Sequence, residues 1–408
     1  MNRPRRLNAL DMEMVDIIYP HLKAWEVDET AKIILMKGRG RAFCAGGDVK
    51  DVISMIKDPA MQSKLNHQLD TEYDMVHFIG TMKTPYIAVM DGITMGAGGG
   101  LACHAPFRIA TENTQFAMPE TAIGLFCDVG ASFFLSRLDG YLGRYMALTS
   151  KILKAEDALF SGIATHFVFS DRLEELESKL DALQSPQLDE IDELIGKYSV
   201  SKNHEPTVYT LYGQNRVIID KCFKYDTVEQ IIDALNEDGS QFALQTVDTI
   251  LKRSPTSLKV TLEHLRRGIN LSLKNCLRME HVLWQTVPYS HDFVEGVTSH
   301  VIHKRTPDWK PKKLEDLDLD SDIKVKYFHA NVKRKLIFTN EQDDYIEHPY
   351  QRYALPTARD ILQAYHAEKY KSAEEAVSFF TKERGDKFGL RQKIEDVFAR
   401  EVQSIRDG

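Results

Sequence analysis

The chemistry in this chain starts from two tight turns rich in small residues. One is Ala42-Phe43-Cys44-Ala45-Gly46-Gly47-Asp48, directly after the strand-like run Lys32–Lys37; the other is Gly96-Ala97-Gly98-Gly99-Gly100, directly after the apolar, β-branched run Tyr86–Thr94. The glycines let a strand turn sharply into a helix beginning near Ala97, and the first amides of a helix are unpaired and carry partial positive charge. If the Gly47 and Ala97 N–H groups converge, they form an oxyanion hole, the device that acyl chemistry needs. A glycine run alone reads equally well as close helix–strand packing. Acids follow: Glu120 and Asp128 lie eight residues apart, flanked by Phe116, Leu125 and Phe126. Two carboxyls in an apolar cleft raise the proton affinity of one of them by desolvation and repulsion, leaving one protonated and one ionised group. The plainer alternative for each is a helix cap or a surface charge.

The pairing of Ala42–Asp48 with the later strand and glycine-rich helix start resembles the crotonase (enoyl-CoA hydratase/isomerase) superfamily. The run Ala117-Met118-Pro119-Glu120-Thr121-Ala122-Ile123-Gly124-Leu125-Phe126-Cys127-Asp128-Val129-Gly130 resembles one branch of it, the 3-hydroxyisobutyryl-CoA hydrolases, some of which occur in the mitochondrial ribosome small subunit. The resemblance covers about residues 2–312. It implies an α/β fold, a crotonase-like spiral of ββα units with a helical C-terminal region and an extra helical extension. It further implies Gly47 and Ala97 as oxyanion donors, Glu120 attacking the thioester carbonyl or activating water, Asp128 binding the substrate hydroxyl and aiding proton transfer, and Glu72 lining the acyl pocket. A surface glutamate fits Glu72 as well. Hydratases of the superfamily carry a second glutamate where this chain has Gly100, which argues against a standard hydratase.

Three departures from the branch pattern bear on activity. Ala97 replaces a glycine, Cys127 a proline, and Ala131 a glycine. The amide survives at Ala97 but a methyl is added beside the acyl group, so activity weakened or lost is part of the expectation. The family implies an acyl-CoA substrate, no cofactor beyond the coenzyme A it carries, a homo-oligomer, and the mitochondrial matrix. The sequence opens at Asn2-Arg3-Pro4 where the family normally has a strand and hairpin first, so either its start is internal to a longer precursor, with any targeting segment outside it, or this copy lacks its first strands.

The elements that position these residues follow from periodicity. A helix is expected over Asp11–Trp25, one or two helices over 51–83, strands at Arg108–Ala110 and Gln115–Met118, and a helical pattern from Leu135 to Phe169 in which His166 reads as structural. Residues 171–240 read as charged outer helices, and Ser254 or Thr256 caps a helix with Pro255 in its first turn. No repeat is visible in the sequence. The domains are read as a spiral core over 1–170, a helical region completing the acyl-CoA pocket over 171–312, a charged linker over 313–339, and a helical extension over 340–408. In that extension Ser372 and Glu375 suggest a capping box, and Leu390, Ile394, Val397, Phe398 and Ile405 form a stripe. The stripe is either packed on its own protein or a docking surface for the ribosomal small subunit.

Composition sets the outer limits. The 408 residues, 43% hydrophobic and 27% charged, describe a globular protein with a large core, and a net charge of −8 gives no global drive toward nucleic acid. Arg3, Arg5 and Arg6 read as a solvated basic terminus or as ligands for the coenzyme A phosphates. The five cysteines (44, 103, 127, 222 and 276) are scattered, without metal-ligand or disulfide spacing, and no apolar run reaches the roughly 20 residues that cross a bilayer, so membrane insertion is not expected.

Overall fold

The computed structural model describes residues 1–332 and 334–402. Among them, eight short strands build two sheets. Strands β1 (Ile34–Lys37), β3 (Tyr86–Met90), β5 (Phe107–Ala110) and β8 (His166–Phe167) pair in parallel, with Ile34 opposite Tyr86, Ile87 opposite Phe107 and Ile109 opposite His166. The second sheet runs β2 (Ala42–Cys44), β4 (Ile93–Met95), β6 (Gln115–Ala117) and β7 (Leu153–Lys154), parallel except for the last pair. The first three turns of the chain each add one strand to each sheet before a helix, the ββα spiral, and in the last turn helix Glu156–Phe160 lies between β7 and β8. The inner strands β3 and β5 are buried on both faces and show no alternation, whereas the edge strand β1 alternates.

The run Tyr86–Thr94, read as one strand, is two strands in different sheets. Gly92 adopts φ +99°, and a Cβ there would stand 2.3 Å from the Arg41 carbonyl oxygen, so the chain must break at Asp91-Gly92. The Leu135–Phe169 stretch also differs: it holds helices Leu142–Thr149 and Glu156–Phe160 but also β7 and β8. Strands of two residues leave no periodicity and arise only from tertiary pairing.

Helices Met12–Val27, capped by Asp11, and Gln62–Thr81 flank the spiral. Helices Leu173–Asp181 and Leu188–Tyr198 cover the outer face of the first sheet, where Leu176, Ile191 and Ile195 meet Ile87, Phe107 and Ile109. Two long helices close the other side. Pro255–Gly268 has Ser254 Oγ accepting the Ser257 N–H as its cap, and Leu273–Trp284 follows.

The C-terminal part departs most from expectation. Within 313–339, read as an exposed linker, Leu319–Phe328 forms a helical segment with Ile323 and Tyr327 buried, and Leu336 and Phe338 are buried too. The stripe Leu390, Ile394, Val397 and Phe398 packs inside this chain, while Ile405 lies outside the described residues. The apolar face is thus occupied, and the docking reading loses it. Ser372 caps its helix, but the Glu375 carboxylate accepts the Lys371 N–H instead; the complete capping box is Thr357 with Asp360. Buried Lys393 bonds Asp139 and the Phe160 carbonyl, tying the extension to the spiral. A strap carrying Arg334, Phe338 and Thr339 lies across the Gln62–Thr81 helix, with Arg334 on Asp70, Phe338 against His77 and Thr339 on Asp74.

Candidate active site

Three segments meet around Gly96. The turn after β2 is fixed by Leu10, whose N–H donates to the Gly46 carbonyl and whose carbonyl accepts the Asp48 N–H, both at 2.8 Å. Gly96 adopts φ +49°, and a Cβ there would stand 2.7 Å from Glu120 Oε1 and 3.5 Å from Gly46 Cα. The same test at Gly98 gives 2.3 Å to the Cys44 carbonyl oxygen, so the Ala97–Cys103 helix starts hard against β2. Ala97, as the first residue of that helix, has an N–H without an acceptor inside it. Its methyl belongs to the apolar core, and Gly47 faces open space.

Glu120 opens a short helical turn, Glu120–Ile123, held from several sides. Gly124 (φ +75°) lies so close to the Asp292 carbonyl that a Cβ would be 2.1 Å from its oxygen, and the Thr121 carbonyl accepts the Ser254 N–H. Glu120 is 5% exposed, its Oε2 has no hydrogen-bond partner among the described residues, and the Cys127 thiol is within bonding reach of its carboxyl.

Asp128 sits in the next turn. Its Oδ2 accepts Trp284 Nε1–H at 2.5 Å and the Tyr73 hydroxyl at 3.5 Å. Val129 (φ +54°) and Gly130 (φ +84°) bend the chain sharply after it, and His104 Nε2 meets the Val129 carbonyl at 3.1 Å. Gly100 explains itself here: a Cβ would lie 2.6 Å from Val129 Cβ. The position where a hydratase-like acid would stand is filled by the turn carrying Asp128.

Glu72 projects from the buried face of the Gln62–Thr81 helix toward Asp128, and it is not a surface residue. Burial first, then the Asp128 charge, pushes Glu72 up to about 8. The same two causes in the same order hold Glu120 well above the ordinary carboxyl range. Asp128 is also raised by burial, but only to about 6, because Trp284 and Tyr73 donate to its charged form. Asp128 therefore ionises before Glu72, and burial beside the Asp128 charge favours the protonated form of Glu120.

The sequence-derived candidates Gly47, Glu72, Ala97, Glu120 and Asp128 thus lie in one neighbourhood of the fold, with the Gly96 turn against Gly46 and Glu120, and Asp128 within electrostatic reach of both Glu120 and Glu72. Tyr73, His104, Glu280 and Trp284 were missed. Tyr73 adjoins Glu72 in sequence, and Glu280 with Trp284 at i, i+4 places two polar groups on one buried helix face, the only signal they leave. Arg3 does not stand in solvent; it pairs with Asp11 and Asp48, while Arg5 and Arg6 are exposed. His166 is buried between Thr165, Asp192 and Lys387, a structural place. The five cysteines are free and buried, and no helix among the described residues is long and apolar enough to cross a membrane.

Comparison with known proteins agrees with this geometry. The enoyl-CoA hydratase/isomerase family profile matches residues 1–327. Small ribosomal subunit protein mS47 of Neurospora crassa is 38% identical over 98% of this chain and 82% of its own length. The mitochondrial 3-hydroxyisobutyryl-CoA hydrolase of Gallus gallus is 46% identical over 78% of this chain and 82% of its own. Among solved structures, a carnitinyl-CoA dehydratase from Mycobacterium thermoresistibile superposes with a TM-score of 0.75 at 35% identity, covering 84% of this chain and 95% of that one. With its spiral, its paired acids and these relatives, the chain belongs to the enoyl-CoA hydratase/isomerase family, in the branch that holds the 3-hydroxyisobutyryl-CoA hydrolases and mS47.

Proposed function

We propose that this protein hydrolyses a short branched 3-hydroxyacyl-CoA thioester, 3-hydroxyisobutyryl-CoA, to 3-hydroxyisobutyrate and coenzyme A in valine breakdown. The observation that carries the reading is the pair Glu120 and Asp128, buried in consecutive turns beside the Gly46-Gly47 and Gly96-Ala97 turns with no carboxyl at Gly100. The thioester carbonyl oxygen rests between the Gly47 and Ala97 N–H groups, where charge that develops on it is stabilised. The substrate hydroxyl donates to Asp128, spreading its charge. That weakens the repulsion holding the Glu120 proton in place, so the 3-hydroxyl helps ionise the attacking group. Ionised Glu120 then either takes a proton from the attacking water or attacks the thioester carbon itself, giving an acyl-glutamyl anhydride that water hydrolyses to restore Glu120. The C–S bond breaks, the carbon keeps an oxygen derived from water, and the coenzyme A thiolate leaves with a proton relayed through Asp128. Glu72 lines the acyl pocket. These groups supply the chemistry without a cofactor beyond the substrate's own coenzyme A.

Thiol release from 3-hydroxyisobutyryl-CoA, measured by thiol titration beside butyryl-CoA, tests the reading. The hydroxylated substrate is expected to be faster by at least about tenfold, the worth of one hydrogen bond to a charged group. Equal rates would remove Asp128 from the hydroxyl.

A second reading rests on the mS47 alignment, whose 98% coverage of this chain takes in the C-terminal extension. On this reading the protein is a component of the mitochondrial small ribosomal subunit that retains the fold, with or without activity, and both readings place it in the mitochondrial matrix. With the apolar stripe buried, docking would use exposed basic side chains of the extension such as Arg359, Lys369 and Lys382. Removing 340–408 would strip core residues such as Tyr353 and Ile361, so charge reversal at those three positions is the sounder probe. Co-sedimentation of the full chain with small subunits, lost on reversal, supports this reading; a free homo-oligomer that never co-sediments refutes it.

A further inference from the structure

The Asp128 turn is held in an uncommon way. Val129 takes a positive φ without being glycine, a conformation that persists only where surroundings enforce it. On its C-terminal side the turn is held by Glu280, fully buried on the Leu273–Trp284 helix. Its Oε2 accepts the Gly130 N–H at 2.7 Å, and its Oε1 accepts the Ser132 N–H at 2.9 Å and the Ser132 hydroxyl at 2.5 Å. All three partners are donors, so the site wants an acceptor on both oxygens, which a carboxylate offers and an amide does not. One helical turn later, Trp284 from the same helix face grips the Asp128 carboxyl itself.

We propose that Glu280 is a positioning residue for the hydrolysis: it locks the Asp128–Ser132 turn so that Asp128 stands fixed between Trp284 and the substrate hydroxyl. The proposal rests on the hydrolase reading above. Glu280 touches no substrate atom and acts only through Asp128.

The test uses the full chain with E280Q, E280D, D128N and the E280Q/D128N double variant. Thiol release from 3-hydroxyisobutyryl-CoA is followed to separate kcat from KM, and amide hydrogen exchange of the peptide spanning 126–134 is measured alongside. Misplacing a reacting group by about 1 Å costs on the order of 100-fold, so E280Q is expected to lower kcat about 100-fold with KM within about threefold. E280D is expected to recover part of the loss, and the double variant to be no slower than D128N alone, because both act at one point. Exchange in 126–134 is expected to quicken in E280Q while the rest of the chain is unchanged. Wild-type kcat in folded E280Q, or losses that multiply in the double variant, would overturn the proposal. If E280Q does not fold, Ser132→Ala removes one bond and should show a smaller loss of the same kind; an unchanged kcat there also overturns it. A folded wild type that releases no thiol would sink the hydrolase reading, and unaltered exchange in E280Q would then sink the hold on the turn separately.

Discussion

Replacing Glu72 by Gln should stabilise the protein at neutral and alkaline pH and leave it unchanged in acid. Glu72 is buried, faces the Asp128 charge, and has its proton affinity pushed from 4.5 up to about 8. Between those values the folded protein holds a proton that the unfolded chain has lost, so the sign is fixed. Stability from this group is fully present below pH 4.5 and falls as pH rises toward about 8. Each pH unit in that window costs about 1.4 kcal/mol, giving roughly 3 kcal/mol at pH 7. With an unfolding entropy of about 2.1 cal/mol/K per residue, a chain of about 400 residues loses on the order of 3–4 °C in Tm. Glu72→Gln keeps the shape and removes the titration. Melting curves of both proteins at pH 5 and pH 7 check it: Glu72→Gln should melt higher by a few degrees at pH 7 and within about 1 °C at pH 5. A gain equal at both pH values, or a loss at pH 7, would refute the reasoning. A loss of substrate affinity in the same variant would show why the unfavourable carboxyl is kept.

Other perturbations follow from the same contacts. Lys393→Met strands the Asp139 carboxylate in the core and should cost about 3–5 kcal/mol, visible as an early loss of the extension in a melting or proteolysis experiment. Trp284→Phe removes the strongest donor to the Asp128 carboxylate, so the pH at which Asp128 ionises should move upward, read by an NMR titration of its carboxyl. Gly100→Glu should not create hydratase activity; with Val129 Cβ only 2.6 Å from the new Cβ it should push the Asp128 turn aside, abolish thiol release and destabilise the fold by about 1–3 kcal/mol in denaturant melts.

The parts of the fold legible in the sequence are those with a local cause. Asp11 and Ser254 cap their helices because short polar side chains take the first free amides, Gly46 stands where the turn needs φ +106°, and Gly96, Gly98 and Gly100 stand where neighbours approach too closely for a side chain. Strands β7 and β8 were illegible because two residues carry no period. The stretch 313–339 misled for a related reason: a charged run looks like a linker until Ile323, Tyr327 and Phe338 find distant partners. At the site, the residues within the glycine and Glu120–Gly130 motifs could be read directly. Glu280 and Trp284 could not, since their meaning comes from a turn some 150 residues earlier in the chain.

The central claim is that Glu120 and Asp128 together break an acyl-CoA thioester. Thiol release from 3-hydroxyisobutyryl-CoA by the wild type, Glu120→Gln and Asp128→Asn tests it most directly. The account predicts measurable release by the wild type and a fall of at least about 100-fold in each folded variant. Release that survives Glu120→Gln, or a folded wild type that releases nothing, would contradict it.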